Sequence, residues 1–449
     1  NRKLENPNIT VNVNGLPAGG EAILIGFFAD QRFKADSTMV GANGQMSFQR
    51  AEPYNPGFYF LLMPNNSAVQ MLIDADQSFT MTTQLNDLVG SMEVDGSLDN
   101  ELLYSNLKFE AQLQPQFQQI GQQLQSLAEG TPEYQQVKQQ QEALLAQRKA
   151  HLDGFFNDHP NAFFTKFKFA GQNPEVRDIR LPNGELDNAA QVYSYRTEMW
   201  DNVDFSDKRL LYTPVIANKL EKYIKELTSQ NPDSINASAT FLADKALNYP
   251  EYYKFFVNYV VLNYEPTKTT LMDPEAVYTY MIQKYFTYDR AFWSDSTEVY
   301  ALQLRANEMA GSIIGKKAPN VEAVDVNGQM RSIDEIKAPY IVVYMYNPTC
   351  EHCMEQTPKL VSFYQEWKNK GVEVFGIAID TDDKEWKDYV RKTGMTWPSV
   401  YDPTNRAIYG KYYVDITPEI YVINPERKII AKNLKVSQIG EVIMRDQEG

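Results

Sequence analysis

The feature that most constrains this chain is the run from Tyr340 to Cys353, YIVVYMYNPTCEHC, because it holds both cysteines of the sequence. Cys350 and Cys353 stand three residues apart at the foot of a β-branched and aromatic run that reads as a buried strand. Two sulfurs on the first turn of a helix can close a small disulfide, and the unpaired N–H groups there favour the Cys350 thiolate over its thiol. Half of a zinc site has the same spacing, but the chain has no second cysteine pair to complete one.

Beyond the pair comes the remainder of a βαβ unit. A helix from about Cys353 to Lys370 sets Leu360, Val361, Phe363, Tyr364 and Trp367 on one stripe, Gly371 ends it, and Val372 to Ile379 is an apolar strand. A helix near Lys384 to Lys392, a short strand at Ser399 to Tyr401, a strand after Pro418, Lys428 to Ala431 and a helix from Ser437 to Met444 complete about five strands with helices on both faces.

From Ile314-Gly-Lys-Lys-Ala-Pro319, through the Asn327-Gly328 turn and the C-x-x-C, to Thr417-Pro418, the sequence resembles the thioredoxin fold and within it the TlpA/ResA-like branch. The resemblance covers about 135 residues and implies a thiol-disulfide oxidoreductase. It implies a cis bond at Thr417-Pro418 facing the sulfurs and backbone hydrogen bonds from Thr417 to a substrate peptide. It also implies a periplasmic or cell-envelope location in a Gram-negative bacterium, with a leader removed ahead of Asn1 and a lipid anchor on the missing segment. Two positions depart from the family pattern: Thr349 stands where Trp often precedes the first cysteine, and Gln356 stands where Glu is common. An amide cannot shuttle protons for the second thiol, and Glu355 points about 100° away on a helix.

In the implied mechanism Cys350 attacks a substrate disulfide and Cys353 resolves the mixed disulfide, the family branch favouring the reducing direction. His352 between the cysteines would stabilise the thiolate and Glu351 would oppose it, so the two tune the couple in opposite senses. Two other readings stay open at this point. Cys350, His352 and Cys353 could hold copper or zinc, or the fold could serve as an interaction module with little turnover.

The whole chain of 449 residues has room for two to four domains, and its net charge of −15 argues against nucleic acid as a partner. The charge is uneven: residues 311–449 hold 18 Lys and Arg against 20 Asp and Glu, the rest of the chain 25 against 38. No apolar run approaches the roughly 18 residues of a membrane helix. No nucleotide, zinc-protease or serine-hydrolase motif occurs, so no cofactor or resident metal is expected. The partners expected are protein thiols and disulfides, and a membrane or soluble redox protein supplying electrons.

Residues 1–96 alternate as a small antiparallel β sandwich or barrel, with strands at Ile9 to Val13, Ala22 to Phe28, Met46 to Phe48, Phe58 to Met63, Val69 to Ile73 and Phe79 to Thr83. This part resembles the β-rich domain of unknown function that often precedes thioredoxin domains in exported proteins of Gram-negative anaerobes. Residues 97–310 read as mostly helical. The segment 97–157 is a glutamine-rich hairpin with a break near Pro115, a solvated spacer rather than a coiled-coil partner surface. Helices continue over 160–309, where many aromatics point to core packing rather than a peptide groove. Residues 311–449 are the thioredoxin-like part. His151 and His159 read as surface or capping residues, and Asp380, Asp382 and Asp383 as the lead-in to a helix rather than a calcium site.

Overall fold

The computed structural model describes residues 3–449, without the side chain of Ala407. Contacts divide the chain into two compact units at Leu227/Thr228, inside the stretch 97–310 that reads as one helical region in the sequence.

In the first unit alternating sequences make strands with one buried face. These are β1 (Asn8–Asn14), β2 (Glu21–Phe28), β3 (Gln31–Met39), β4 (Gln45–Gln49), β5 (Gly57–Leu62), β6 (Ala68–Ile73), β7 (Ser78–Gln84) and β8 (Glu93–Asp95). They form two four-stranded sheets of order β4-β1-β7-β8 and β3-β2-β5-β6. The expected sheet is antiparallel, but β1 and β7 pair in parallel, Ile9 opposite Phe79 and Val11 opposite Met81. The reason is long range: β1 starts the domain and β7 returns to it after five intervening strands, a pairing that local alternation does not encode. Strands β3 and β8 escape sequence reading because they are polar and bury no residue fully.

Next come α1 (Leu98–Ser126) and α2 (Pro132–Asp158), capped by Ser97 and Thr131. The break expected near Pro115 is absent, for α1 runs through it, with Leu113 and Ile120 buried on either side. Helices α3 (Phe163–Ala170), α4 (Asn188–Glu198) and α5 (Pro214–Glu221) complete the unit. The stretch from Lys208 to Glu226 is not one continuous helix but a short 3-10 turn, then α5 beginning at Pro214, then a π-helical turn. Pro214 explains the division, since it cannot donate to the preceding turn and fits at a helix start.

The second unit opens with α6 (Pro232–Lys245), α7 (Pro250–Asn263), α8 (Pro274–Tyr285) and α9 (Ser296–Ala310). Their aromatics form a core, as expected. Tyr252, Tyr253, Phe256, Tyr278, Tyr285 and Phe286 are buried, and buried hydroxyls find partners, Tyr253 donating to the Tyr285 carbonyl at 2.7 Å.

The carboxy-terminal part adds β9 (Glu322–Val324), β10 (Met330–Ser332), β11 (Tyr340–Tyr346), α10 (Glu351–Trp367), β12 (Val372–Ile379), α11 (Asp383–Thr393), β13 (Ser399–Asp402), α12 (Arg406–Tyr412), β14 (Glu419–Ile423), β15 (Ile429–Ala431) and α13 (Val436–Glu448). Five strands order as β13-β12-β11-β14-β15, with β11, β12 and β13 parallel, β14 antiparallel to β11, and β15 antiparallel to β14. All seven residues of β11 are buried, as a central strand covered on both faces requires. Tyr340, Val342, Tyr344 and Tyr346 face one core with α10, α11 and α13, while Ile341, Val343 and Met345 face the other with α12. Gly376 in β12 sits so close under Trp397 that a Cβ there would lie 2.7 Å from the indole nitrogen. This is the α/β layer expected from the sequence, and it leaves the end of β11 feeding directly into α10.

Candidate active site

The loop between β11 and α10 is built by Asn347. Its side-chain oxygen accepts from the Thr349 N–H at 2.8 Å and the Thr349 hydroxyl at 2.6 Å, and its amide donates to the carbonyls of Ile379 and Asp380 at 3.0 and 3.1 Å. The turn is therefore tied to the end of β12 before the first sulfur is reached. Asn347 is a site residue that the sequence reading passes over, although an Asn before Pro at a strand end is a recognisable turn signal.

Cys350 is the N-cap of α10. Its Sγ accepts the Cys353 N–H at 3.2 Å and its thiol donates to the Thr417 carbonyl at 3.3 Å. Thr417–Pro418, joined by a cis peptide, thus lies against the reactive sulfur from the start of β14. Both cysteines are reduced, Cys350 half-buried and Cys353 sealed at 0% exposure.

This difference in exposure separates the two thiols chemically. Burial works against ionisation of Cys350, but hydrogen bonds from the Cys353 and Thr417 side chains and from the backbone N–H groups of Cys353 and His352 outweigh it, and its pKa lies below that of an ordinary thiol. Burial, reinforced by the neighbouring Cys350, pushes the Cys353 thiol up to about 12. At neutral pH the site presents one nucleophile and one thiol held in reserve.

The tuning residues fall outside the pair's immediate contacts. Glu351 and His352 have exposed side chains, and His352 reaches Cys350 through its backbone N–H. Gln356 turns its side-chain oxygen to the Val436 N–H at 3.2 Å, joining α10 to the start of α13. Glu355 is exposed and pairs with Lys359 at 2.7 Å, on the outer side of the helix as its spacing requires. Among the described residues, no three His, Cys, Asp or Glu side chains converge as a metal site. Asp382 caps α11 by accepting the Glu385 N–H at 2.8 Å, and His151 stacks on Phe109 with ring centroids 3.7 Å apart.

Behind Cys353 lies a group of hydroxyls that the sequence does not reveal. Thr357 donates to the Cys353 carbonyl at 2.8 Å and meets the hydroxyls of Tyr344 and Tyr389 at 2.7 and 2.9 Å. Thr357 is one helical turn beyond Cys353, but Tyr344 and Tyr389 come from β11 and α11, so only the assembled fold gathers them. The cluster satisfies its own polar atoms, and Tyr344 and Tyr389 share one core with Cys353.

Two stretches of the chain are similar to known proteins. Residues 314–432 match the AhpC/TSA family, and residues 8–103 match a domain of unknown function, DUF4369. A thiol-disulfide oxidoreductase ResA of Bacillus thuringiensis (strain Al Hakam) is 27% identical over 136 residues, 30% of this chain and 75% of that protein. A ResA of Bacillus cereus is 29% identical over 138 residues, again 30% of this chain and 75% of that protein. The thioredoxin domain of a thiol-disulfide oxidoreductase from Bacteroides vulgatus aligns in structure with 25% identity and a TM-score of 0.28, covering 29% of this chain and 96% of that one.

Proposed function

We propose that this chain, a thiol-disulfide oxidoreductase by its thioredoxin-fold domain, reduces disulfides in protein substrates outside the inner membrane, with Cys350 as nucleophile and Cys353 as resolving thiol. The observation that carries the assignment of roles is the asymmetry of the pair: Cys350 reaches solvent at a helix N-cap with its pKa lowered, while Cys353 is fully buried with its pKa raised.

In the forward direction the Cys350 thiolate attacks one sulfur of a substrate disulfide. The substrate S–S bond breaks, a Cys350–substrate bond forms, and the other substrate sulfur leaves as a thiolate. Cys353 then attacks Cys350 Sγ, closing the intramolecular disulfide and releasing the second substrate sulfur, which takes up the proton that Cys353 gives up. Two electrons pass to the substrate, and a dithiol partner protein restores the pair. Backbone groups at Thr417–Pro418 would hold the substrate main chain during the first step, a role supported by the 3.3 Å bond from the Cys350 thiol to the Thr417 carbonyl.

The test is capture of the mixed disulfide. Cys353→Ser should accumulate a covalent adduct with a protein disulfide such as insulin, visible on a non-reducing gel, whereas Cys350→Ser should give none. Equal capture by both variants would defeat the assignment of roles. Failure of the unmodified protein to reduce insulin at all would favour an interaction module instead.

A further inference from the structure

Beside the Thr417–Pro418 loop lies an open cavity of about 390 Å³, and its two walls come from different parts of the second unit. One wall is the loop itself with the turn after β15: Tyr413, Asp415, Ile416, Glu419, Asn433 and Leu434. The other is the connection between α7 and α8, from Pro266 to Glu275, which belongs to the helical stretch ahead of the thioredoxin-like fold.

The walls are fixed to each other. Asn433 donates its amide to the Met272 carbonyl at 2.8 Å, the Lys432 ammonium lies 3.4 Å from Glu275, and Asp273 accepts the Ile314 N–H at 2.7 Å. Ile416, 59% exposed, and Met272, 39% exposed, stand at the mouth. The residue after Ile416 is Thr417, whose carbonyl is the partner of the Cys350 thiol. A polypeptide held along Thr417 with its cysteine on Cys350 would pass its neighbouring residues into this space.

We infer that this cavity is the subsite for the residues next to a substrate's reactive cysteine, that the Pro266–Glu275 segment is its specificity wall, and that it favours a segment carrying a basic side chain. The inference rests on the assignment of Cys350 as nucleophile. The preference comes from the lining, which contains Glu275, Asp415 and Glu419 and no Lys, Arg or His. The cations around it are engaged: Lys268 of the same segment pairs with Glu265 at 2.6 Å, Lys432 is buried between Asp273 and Glu275, and Arg305 bonds Tyr413 and Glu265. Asp415, exposed, is left to face an incoming group, since Glu275 is paired with Lys432 and Glu419 accepts the Asn433 N–H at 2.8 Å, while Thr267, Thr269 and Thr270 supply hydroxyls to a peptide backbone.

The experiment compares three substrates on the full chain: a disulfide peptide with lysines flanking the cysteine, the same peptide with glutamates, and dipyridyl disulfide, which has no flanking residues. The lysine peptide should react about fivefold faster in kcat/KM than the glutamate peptide, the scale of one partly exposed charge pair, and the difference should shrink in Asp415→Asn. Thr270→Trp, at an exposed position of the wall, should lower the ratio of lysine-peptide rate to dipyridyl disulfide rate about fivefold by occupying the cavity. Equal rates with the two peptides, or an unchanged ratio in Thr270→Trp, would overturn the subsite while leaving the dithiol chemistry standing. No reaction of the unmodified chain with any of the three would overturn the nucleophile assignment, and the subsite with it.

Discussion

The strand and helix around the dithiol and the long hairpin of α1 and α2 are both plain in the sequence, yet they are built to opposite ends. Every residue of β11 is buried and α10 starts on a sulfur bonded to the Cys353 N–H and the Thr417 carbonyl, whereas α2 buries only Leu152 and Phe155 along 27 residues. The lesson is that regular pattern locates elements, while completeness of burial locates chemistry. A region enclosed except for one reactive atom can separate two like groups into different roles. A solvated hairpin treats most of its positions alike.

The sharpest test of that contrast lies within the dithiol. With Cys350 below the ordinary thiol value of 9 and Cys353 raised to about 12, their thiolate fractions at neutral pH differ by about a thousandfold or more. Iodoacetamide should therefore label Cys350 alone, with a rate midpoint below pH 9, and equal labelling of both sulfurs would break the comparison. Folded and unfolded states are linked to these shifts with opposite signs. The lowered Cys350 stabilises the reduced fold above its folded pKa and loses that contribution as pH falls through it. The raised Cys353 contributes fully below the unfolded value and loses it as pH rises through about 12.

The next effect concerns stability rather than reactivity. Lys432 is 1% exposed, with Asp273 at 3.7 Å and Glu275 at 3.4 Å. Lys432→Ala leaves those carboxylates buried without a cation and should cost about 3–5 kcal/mol, read by urea denaturation. A cost near that of a surface substitution would show that the second unit does not depend on this cluster.

A smaller, pH-dependent effect comes from Glu419, which burial raises to about 7 from an ordinary 4.5 against the opposing pull of Lys432. The folded state keeps a proton that the unfolded chain releases between those values. The contribution is therefore whole below about pH 4.5 and is lost as pH rises through 7. Relative to Glu419→Gln, the native protein should lose thermal stability over that window, and parallel melting profiles for the two would refute the shift.

The smallest effect belongs to the hairpin. Leu145 of α2 is 49% exposed, so Leu145→Gln should change stability by no more than ~0.5 kcal/mol. A loss of several times that amount would show that the hairpin face is covered in solution.

Much of the candidate site could be read from residue order alone. The pair Cys350 and Cys353, the strand before it, the helix after it and Pro418 on the approach to a strand all rest on local pattern, and local pattern survives because each is set by neighbours within a few positions. Gln356 shows the limit. The sequence marks it as a missing carboxylate, but its bond to Val436 gives it a tie between two helices, 80 positions apart in the chain. The unbroken course of α1 through Pro115 and the parallel pairing of β1 with β7 escape for the same reason, since both depend on partners distant in sequence.

The sequence by itself determined the elements and their chemical cargo: period two for the strands, period 3.6 for the helices, and two sulfurs one helical turn apart. Tertiary structure alone decided which sulfur is sealed, that Thr417 meets Cys350 from 67 residues away, and that the α7–α8 connection walls a cavity beside them. The physical reason is that propensity and spacing act within a turn or two of chain. Desolvation, which sets the reactivity of each thiol, depends on every segment the fold packs around it.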